Sequence, residues 1–138
     1  LEAWPLAIKP GRPVGLGDID DCPILALPGN PTAAAIAFIA FGRPIVTMMS
    51  GARDETPLAF HLPAGFALEK AHGIRQFLLA DLASAADGAS LAIPISQQSP
   101  AMISSLSRAR GLIVLPETCT DVAPGQAVMF APMHHFMS

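Results

Sequence analysis

Two cationic side chains near the start of the chain lie on a loop that proline makes stiff. The segment is Lys9-Pro10-Gly11-Arg12-Pro13, in which each proline fixes its own φ angle and restricts the preceding residue. A stiff loop leaves charged groups little freedom to lose on binding, so Lys9 and Arg12, held by Pro13, could bind an anion. The same pattern also fits two solvated charges on a turn, which the spacing alone favours.

A second candidate for anion binding is the turn Pro28-Gly29-Asn30-Pro31, which continues into Thr32 and an apolar run. Asn30 is a favourable N-cap and Pro31 suits the first helical turn. A helix N-terminus offers amide N–H groups and a partial charge of about half a unit, and Gly29 lets a ligand approach the backbone. Thr32 could add a hydroxyl. Capping alone would also explain Asn30, and the two roles are compatible.

Two neighbouring serines, Ser104 and Ser105, are the remaining candidates for ligand contact. Serines in such a setting are more often helix or turn caps than ligands. No histidine or carboxylate stands at a spacing that would activate either hydroxyl, so a serine hydrolase is rejected.

The cysteines and histidines predict neither a disulfide nor a metal site. Cys22 and Cys119 are far apart without partner spacing, which favours a reduced, cytoplasmic setting. The histidines lack zinc-binding spacing, and the pair His134-His135 is interpreted as an exposed tail.

Composition indicates a chain that can bury a core. Of the 138 residues, 51% are hydrophobic and 14% are charged, and the net charge is -3. This charge gives no electrostatic reason to expect binding to nucleic acid or an anionic membrane. The longest wholly apolar run, Ala33 to Phe41, is far below the roughly 20 residues that cross a bilayer. No cationic leader precedes an apolar stretch, and the start at Leu1 suggests a piece of a longer protein.

The first part of the chain is predicted to be mixed α and β. Trp4 to Ile8 and Pro23 to Leu27 are predicted strands, and Val14 to Leu16 could begin another. Thr32 to Phe41 is a predicted helix, apolar on nearly every side and therefore buried in a core or against a second subunit. Gly42 and Pro44 are expected to end or bend it, with a second turn from Ile45 to Met49. The polar stretch Gly51 to Pro57 is the predicted boundary, giving domains 1–50 and 51–138.

The second part is predicted to be β structure, because short apolar runs alternate with Gly, Asp and Pro turns. This spacing suggests a small barrel or sandwich. Pro100 to Arg110 is interpreted as a loop with a helical turn. The predicted strands are Leu58 to Leu62, Gly65 to Leu68, Gln76 to Leu82, Ser90 to Ile95, Gly111 to Leu115 and Ala127 to Ala131.

Four segments in this order resemble the molybdopterin molybdotransferase family, which comprises the MoeA proteins and the equivalent domain of gephyrin. Trp4 to Pro13 is similar to W-K-x-A-x-K-P-G-K-P, and Leu27 to Pro31 to L-P-G-N-P. Met102 to Pro116 resembles M-x-S-S-L-A-R-A-N-G-L-I-x-L-P, and Ala123 to Val128 resembles A-G-x-x-V. The resemblance covers nearly the whole chain.

The resemblance implies a fold and a reaction. It implies the C-terminal end of a three-layer α/β domain that binds molybdopterin, followed by a small, mostly antiparallel β-barrel. It also implies a homodimer whose cleft lies between one subunit's α/β domain and the other's barrel. The implied reaction inserts molybdate into adenylylated molybdopterin with Mg²⁺, which residues outside this chain mainly bind, and releases AMP. The fragment alone is expected to be inactive.

The resemblance also implies which residues bind the substrates. On the α/β side these are Lys9, Arg12 and Pro13, together with Pro28, Gly29, Asn30 and Thr32. On the barrel side they are Ser104, Ser105 and Arg75. Molybdate is a dianion and molybdopterin carries phosphate, so positive charge and amide donors suit both. Ala33 stands where the family usually has serine, which removes one polar contact.

The barrel half departs from the family pattern. Ile74 and Leu79 stand where the family has arginines, and Arg75 is one place off, which in a strand reverses its face. Pro100 lies in a segment where the family has Q-G-S-G, and it removes an amide donor.

Three interpretations follow from the sequence. The first is an active molybdotransferase, of which this is the C-terminal part. The second is a divergent member that binds molybdopterin or serves as a dimerising scaffold without inserting metal. The third is an unrelated small β domain.

Overall fold

A computed structural model describes residues 2–4, 8–10, 14–53, 58–95 and 102–137, with the backbone alone at 2–4, 102–103 and 137. The chain divides into two compact units, Leu1–Thr56 and Pro57–Ser138. Because Arg12, Pro13 and Pro100 lie outside the described residues, the structure does not test the predictions made for them.

The first unit contains a small antiparallel sheet. The strands of the first unit are β1 (Glu2–Trp4), β2 (Ile8–Lys9), β3 (Val14–Ile19) and β4 (Cys22–Ala26). The small sheet consists of three of them, paired in the order β1-β3-β4. Asp20 and Asp21 join β3 to β4 with φ angles of 51° and 62°. Two positive φ angles are what a two-residue type I′ hairpin turn requires, and aspartate tolerates them better than most residues.

The helix of the first unit runs without interruption from Pro31 to Met49. It consists of α1 (Pro31–Ala37), a π-helical turn (Phe38–Gly42) and α2 (Arg43–Met49). Gly42 and Pro44 were predicted to end or bend the helix, and they do not end it, for a local reason. The Arg43 amide bonds to the Phe38 carbonyl, five residues back, and this wider turn precedes Pro44 near the start of α2. Gly42 is needed because the Phe38 ring lies where a Cβ would be.

This helix buries only part of its surface. Thr32, Ala33, Ile36 and Ala37 are buried. By contrast, large apolar side chains stand exposed along the rest of the helix. Phe38 lies within the segment Thr32 to Phe41, which was predicted to be buried in a core or against a second subunit, and Val46, Met48 and Met49 lie in α2. By length and composition alone, the 19-residue segment Pro31–Met49 is long and apolar enough to cross a membrane. Arg43 and Pro44 inside it and the buried face of α1 instead fit a helix that packs within a folded domain.

The second unit is an antiparallel sheet with short helices. Five described strands pair in the order β8-β7-β9-β11-β5, and β6 pairs with β10 in a separate ladder. The helices are α3 (Met102–Arg108) and α4 (His134–Met137). The strands are β5 (Phe60–Pro63), β6 (Leu68–Glu69), β7 (Arg75–Ser84), β8 (Ser90–Pro94), β9 (Gly111–Leu115), β10 (Asp121–Val122) and β11 (Ala127–Pro132).

The two ends of this sheet meet at one point only. Ala64, directly after β5, forms an isolated parallel bridge with Ala92 of β8, and the Gly65 amide donates to the Ala92 carbonyl at 2.9 Å. Among the described residues no continuous ladder joins β5 to β8. The expected closed barrel is therefore corrected to a curved sheet whose edges touch at a single bridge.

The ten-residue strand β7 has apolar side chains on both faces at its centre. Ala80 belongs to a buried cluster with Ala92, Ile113 and Phe130. Leu79 and its cross-strand partner Leu112 are 0% and 1% exposed, and successive strand residues face opposite sides. These two leucines therefore lie on the face of the sheet opposite that cluster.

Replacing Leu79 with alanine should lower the free energy of unfolding by about 2–5 kcal/mol, because a fully buried leucine loses its packing and leaves a cavity. Urea unfolding followed by circular dichroism would measure the loss. Met129→Ala is the matched control, since Met129 lies on β11 with 38% of its surface exposed and should cost far less. Equal costs for the two variants would contradict the assignment of Leu79 to the core.

Candidate functional site

The turn before the long helix is held by its own hydrogen bonds. The Ala33 amide donates to Asn30 Oδ1 at 3.1 Å, and the Ala34 amide donates to the Asn30 carbonyl at 2.8 Å. Asn30 has extended backbone angles, as an N-cap requires. Gly29 is exposed and a Cβ added there would meet no atom within 4 Å, so a ligand has space to approach.

The structure reduces the number of groups in this turn that can donate a hydrogen bond to an anion. The amides of Ala33 and Ala34 already donate within the turn, and Pro31 has no amide hydrogen. Thr32 is only 2% exposed, so its side chain packs inside the unit instead of facing solvent. Pro28, Gly29 and Asn30 are therefore the members of this set that remain at the surface.

The structure describes one cation of the proline-rich loop. Lys9 is exposed at the end of β2, and it belongs to the same unit as the Pro28 turn. Its exposure is compatible with a role in binding.

The two predicted serines lie on α3 in the second unit and differ in exposure. Ser104 is exposed and its carbonyl accepts a hydrogen bond from the Ser107 hydroxyl at 2.9 Å. Ser105 is 5% exposed, so it faces the interior of the unit. Of the pair, Ser104 is the one whose side chain can reach a ligand from solvent.

Arg75 forms an ion pair that the sequence analysis did not predict. Its Nε lies 3.2 Å from Glu117 Oε1, and its Nη2 donates to Glu117 Oε2 at 3.3 Å. Both side chains are nearly half exposed, so the pair contributes little to stability. The guanidinium is nevertheless already directed at a carboxylate, which an anionic ligand would have to displace.

Lys70 lies near this pair and is 8% exposed. Its Nζ donates to the Ala71 carbonyl at 2.9 Å and to the Cys119 carbonyl at 2.8 Å. These bonds tie the residues after β6 to the loop that follows β9. The cation therefore has a structural role in holding the Glu117 loop in place.

Strand register is the signal that would have revealed the Arg75–Glu117 pair. Gln76 is the cross-strand partner of Leu115, so Arg75 at the start of β7 and the residues just after β9 lie close together. Opposite charges at those two positions would then be expected to meet.

Among the described residues, no three His, Cys, Asp or Glu side chains are grouped so that they could hold a metal ion. His134 and His135 stack on each other with ring centroids 4.2 Å apart. They lie in the short helix α4, where the sequence predicted an exposed tail.

The hydrogen bonds to Glu117 predict how its carboxyl group titrates. A hydrogen bond from its own backbone amide and then the bond from Arg75 hold the pKa of Glu117 below its usual value of 4.5. Because the pKa of Glu117 is lower in the folded protein than in the unfolded chain, the ionised carboxylate stabilises the fold above the unfolded-state pKa. This contribution is lost as the pH falls through the folded-state pKa. Arg75→Gln should raise the pKa of Glu117 part of the way, since the backbone hydrogen bond remains.

Carboxyl-carbon NMR titration of Glu117 in both proteins would measure this shift. Arg108→Gln is the matched control, because Arg108 is an exposed arginine of the same unit, at the end of α3, and its loss should leave the titration unchanged. An unaltered Glu117 titration in Arg75→Gln would show that the pair does not persist in solution.

Comparison with known proteins identifies relatives of this chain. Residues 61–133 match the family described as MoeA C-terminal region (domain IV). The chain is 27% identical over 135 residues to a molybdopterin molybdenumtransferase of Haemophilus influenzae, covering 97% of the chain and 33% of that protein. It is 36% identical over 129 residues to molybdopterin molybdenumtransferase 2 of Mycobacterium tuberculosis, covering 91% of the chain and 30% of that protein. The chain thus spans about a third of the length of these relatives.

Solved structures show the same likeness. A molybdopterin biosynthesis MoeA protein from Pyrococcus horikosii superposes with a TM-score of 0.71 at 27% identity, over 91% of this chain and 30% of that one. A molybdenum cofactor biosynthesis protein from Pyrococcus furiosus gives a TM-score of 0.70 at 25% identity, over 91% and 43%. The likeness extends beyond residues 61–133, and the resemblance inferred from the sequence motifs is confirmed. The chain belongs to the MoeA family.

Proposed function

We propose that this chain is the C-terminal part of an enzyme of molybdenum cofactor biosynthesis, which inserts molybdate into adenylylated molybdopterin and releases AMP. The observation that carries the proposal is the capped turn Pro28–Pro31. It stands open at Gly29 in a chain 36% identical over 129 residues to a molybdopterin molybdenumtransferase. The exposed backbone at Gly29, next to the start of the helix, leaves room for an oxyanion to approach.

The residues of the first unit would bind and orient the substrates. Lys9 supplies a positive charge for molybdate or for the phosphate of molybdopterin, and Arg12 and Pro13 would extend that cationic loop. The backbone at Pro28 and Gly29 would lie against the pterin-linked phosphate, because no side chain at Gly29 blocks its approach. The dipole of the long helix would favour the negative charge.

We further propose that full-length protein assembles as a homodimer in the cytoplasm, with the second unit contributing Ser104 to the cleft of the partner. Exposed Phe38, Val46 and Met49 support an interface, because an apolar patch on one helix favours coverage by another surface. The Mg²⁺ ion would be held mainly by residues outside this chain.

A catalytically impaired relative that binds molybdopterin or dimerises is the second candidate. Two observations favour it. Leu79 occupies a family arginine position with a fully buried side chain, and Arg75 is paired with Glu117. Both reduce the positive charge that the second unit can direct at an anion, and each lost charge-assisted bond would cost about 1.5–3 kcal/mol of binding.

Titrating the full-length dimer with molybdate separates these two candidates. The substrate is adenylylated molybdopterin and the readout is its hydrolysis to AMP. The proposal expects saturable AMP release that depends on molybdate. Molybdate binding without AMP release would identify the impaired relative and overturn the enzymatic proposal.

Lys9→Ala in the full-length protein should lower turnover without changing the thermal unfolding midpoint, because Lys9 is exposed and its charge serves the substrate. The expected loss is about tenfold or more, equivalent to one charge-assisted hydrogen bond. Arg53→Ala is the matched control, since it removes an exposed cation of the same unit that is not a candidate ligand. Unchanged kinetics in Lys9→Ala would remove Lys9 from the site.

A further inference from the structure

A hollow of about 590 Å³ lies in the second unit, at one end of the sheet, and it is open to solvent. Its lining comes from β5, β7, β8 and β11, from the segment between α3 and β9, and from Met133 and His134. The volume falls within the range of roughly 300–1,000 Å³ that is typical of small-molecule sites. We call this hollow the mouth pocket.

The wall of the mouth pocket is apolar and continuous with the core. Phe130 is 3% exposed and belongs to the buried cluster, while Leu62 and Leu82 are partly buried and pack against that cluster. Phe60, which also lines the pocket, is 47% exposed. An apolar ligand would therefore cover side chains that the sheet leaves partly open to water, which is favourable for binding.

One cationic residue, Arg110, lies at the rim with its backbone anchored. The Arg110 amide donates to the Ala80 carbonyl at 2.9 Å, and the Arg110 carbonyl accepts from the Met133 amide at 2.8 Å. Arg110 is thus anchored between β7 and the end of β11 by its backbone. His134 also lines the pocket beside it.

The Arg110 guanidinium has donors to spare. Its Nε lies 3.1 Å from Asp81 Oδ1, and the two side chains are 69% and 41% exposed. A guanidinium has five N–H donors, and in the described part of the chain only the Nε contact engages this one. The Nη groups can therefore bond to an anionic group of a ligand while Asp81 keeps the Nε contact.

We propose that the mouth pocket binds a small amphipathic anion, with an aromatic or aliphatic body in the apolar hollow and a carboxylate or sulfonate at Arg110. The inference is independent of molybdate insertion, because none of the pocket residues named here belongs to the proposed substrate site.

The test titrates intact protein with 8-anilinonaphthalene-1-sulfonate, a probe with an apolar aromatic body and one anionic group. Methionine methyl resonances report the location of binding. Met133 lines the mouth pocket, whereas Met49 lies on the exposed helix of the first unit. The proposal expects a saturable shift of the Met133 resonance. A shift at Met49 with none at Met133 would overturn it.

Two variants break the same ion pair but differ in the charge they leave. Arg110→Gln removes the cation and should weaken probe binding at Met133 by about tenfold, the size of one charge-assisted hydrogen bond. Asp81→Asn keeps the cation and should bind the probe at least as tightly as the natural protein. Equal weakening in both variants would show that the pair matters only for structure, and would overturn the proposal.

A neutral probe tests the same claim without any substitution. N-phenyl-1-naphthylamine has a similar aromatic body and no charge, so it should bind at Met133 about tenfold more weakly than the sulfonate. Equal affinity of the two probes at this site would show that Arg110 does not recognise the anion.

Discussion

The hydrogen bond from the Ala33 amide to the Asn30 side chain is the interaction on which the proposed site depends. At 3.1 Å it fixes the turn between β4 and the long helix, and it leaves Gly29 at the surface with open space around it. Loss of an N-cap costs about 0.5–2 kcal/mol, enough to loosen a turn that must present backbone to an oxyanion. Under the proposed function, capping and ligand binding would share this turn, and the structural role of Asn30 would hold the backbone that the ligand approaches.

In the second unit, apolar side chains pack at the centre of β7 on both faces of the sheet. In β7, Leu79 pairs with Leu112 on the reverse face of the sheet, and both are almost completely buried. An arginine at this position would have to reach solvent or a partner from within that packing, since an unpaired buried charge is costly. The leucine at this position instead contributes to a sheet that is stabilised by apolar contacts on both faces.

The sequence predicted most of the local structure but missed features that depend on strand pairing. Gly111–Leu115 was found as predicted, and the helix after Asn30 was expected from its cap and proline. Apolar periodicity could not show that the helix continues through Pro44, because a π-helical turn determines this. The predicted strand at Gly65 to Leu68 was wrong apart from Leu68, since Gly65 instead bonds to Ala92 across the sheet.

Whether a candidate site residue is exposed and unpaired was harder to predict from the sequence than the helices and strands were. Motif spacing identified Asn30 and Gly29 correctly as members of an exposed, capped turn, but it could not show that Thr32 and Ser105 face inward. It also gave no sign that Arg75 is bound to Glu117, because that contact joins residues 42 apart in sequence. Burial and charge pairing are set by the fold, so residue type alone cannot separate an available ligand from an occupied one.

The central claim is that the Pro28–Pro31 turn and Lys9 belong to one oxyanion site. Crystals of the full-length protein soaked in molybdate, measured at the molybdenum absorption edge, would locate the metal directly by its anomalous scattering. The account predicts a molybdenum peak within hydrogen-bond reach of both Lys9 Nζ and the backbone near Gly29. A strong peak elsewhere in the molecule, with this turn left without molybdenum, would contradict it.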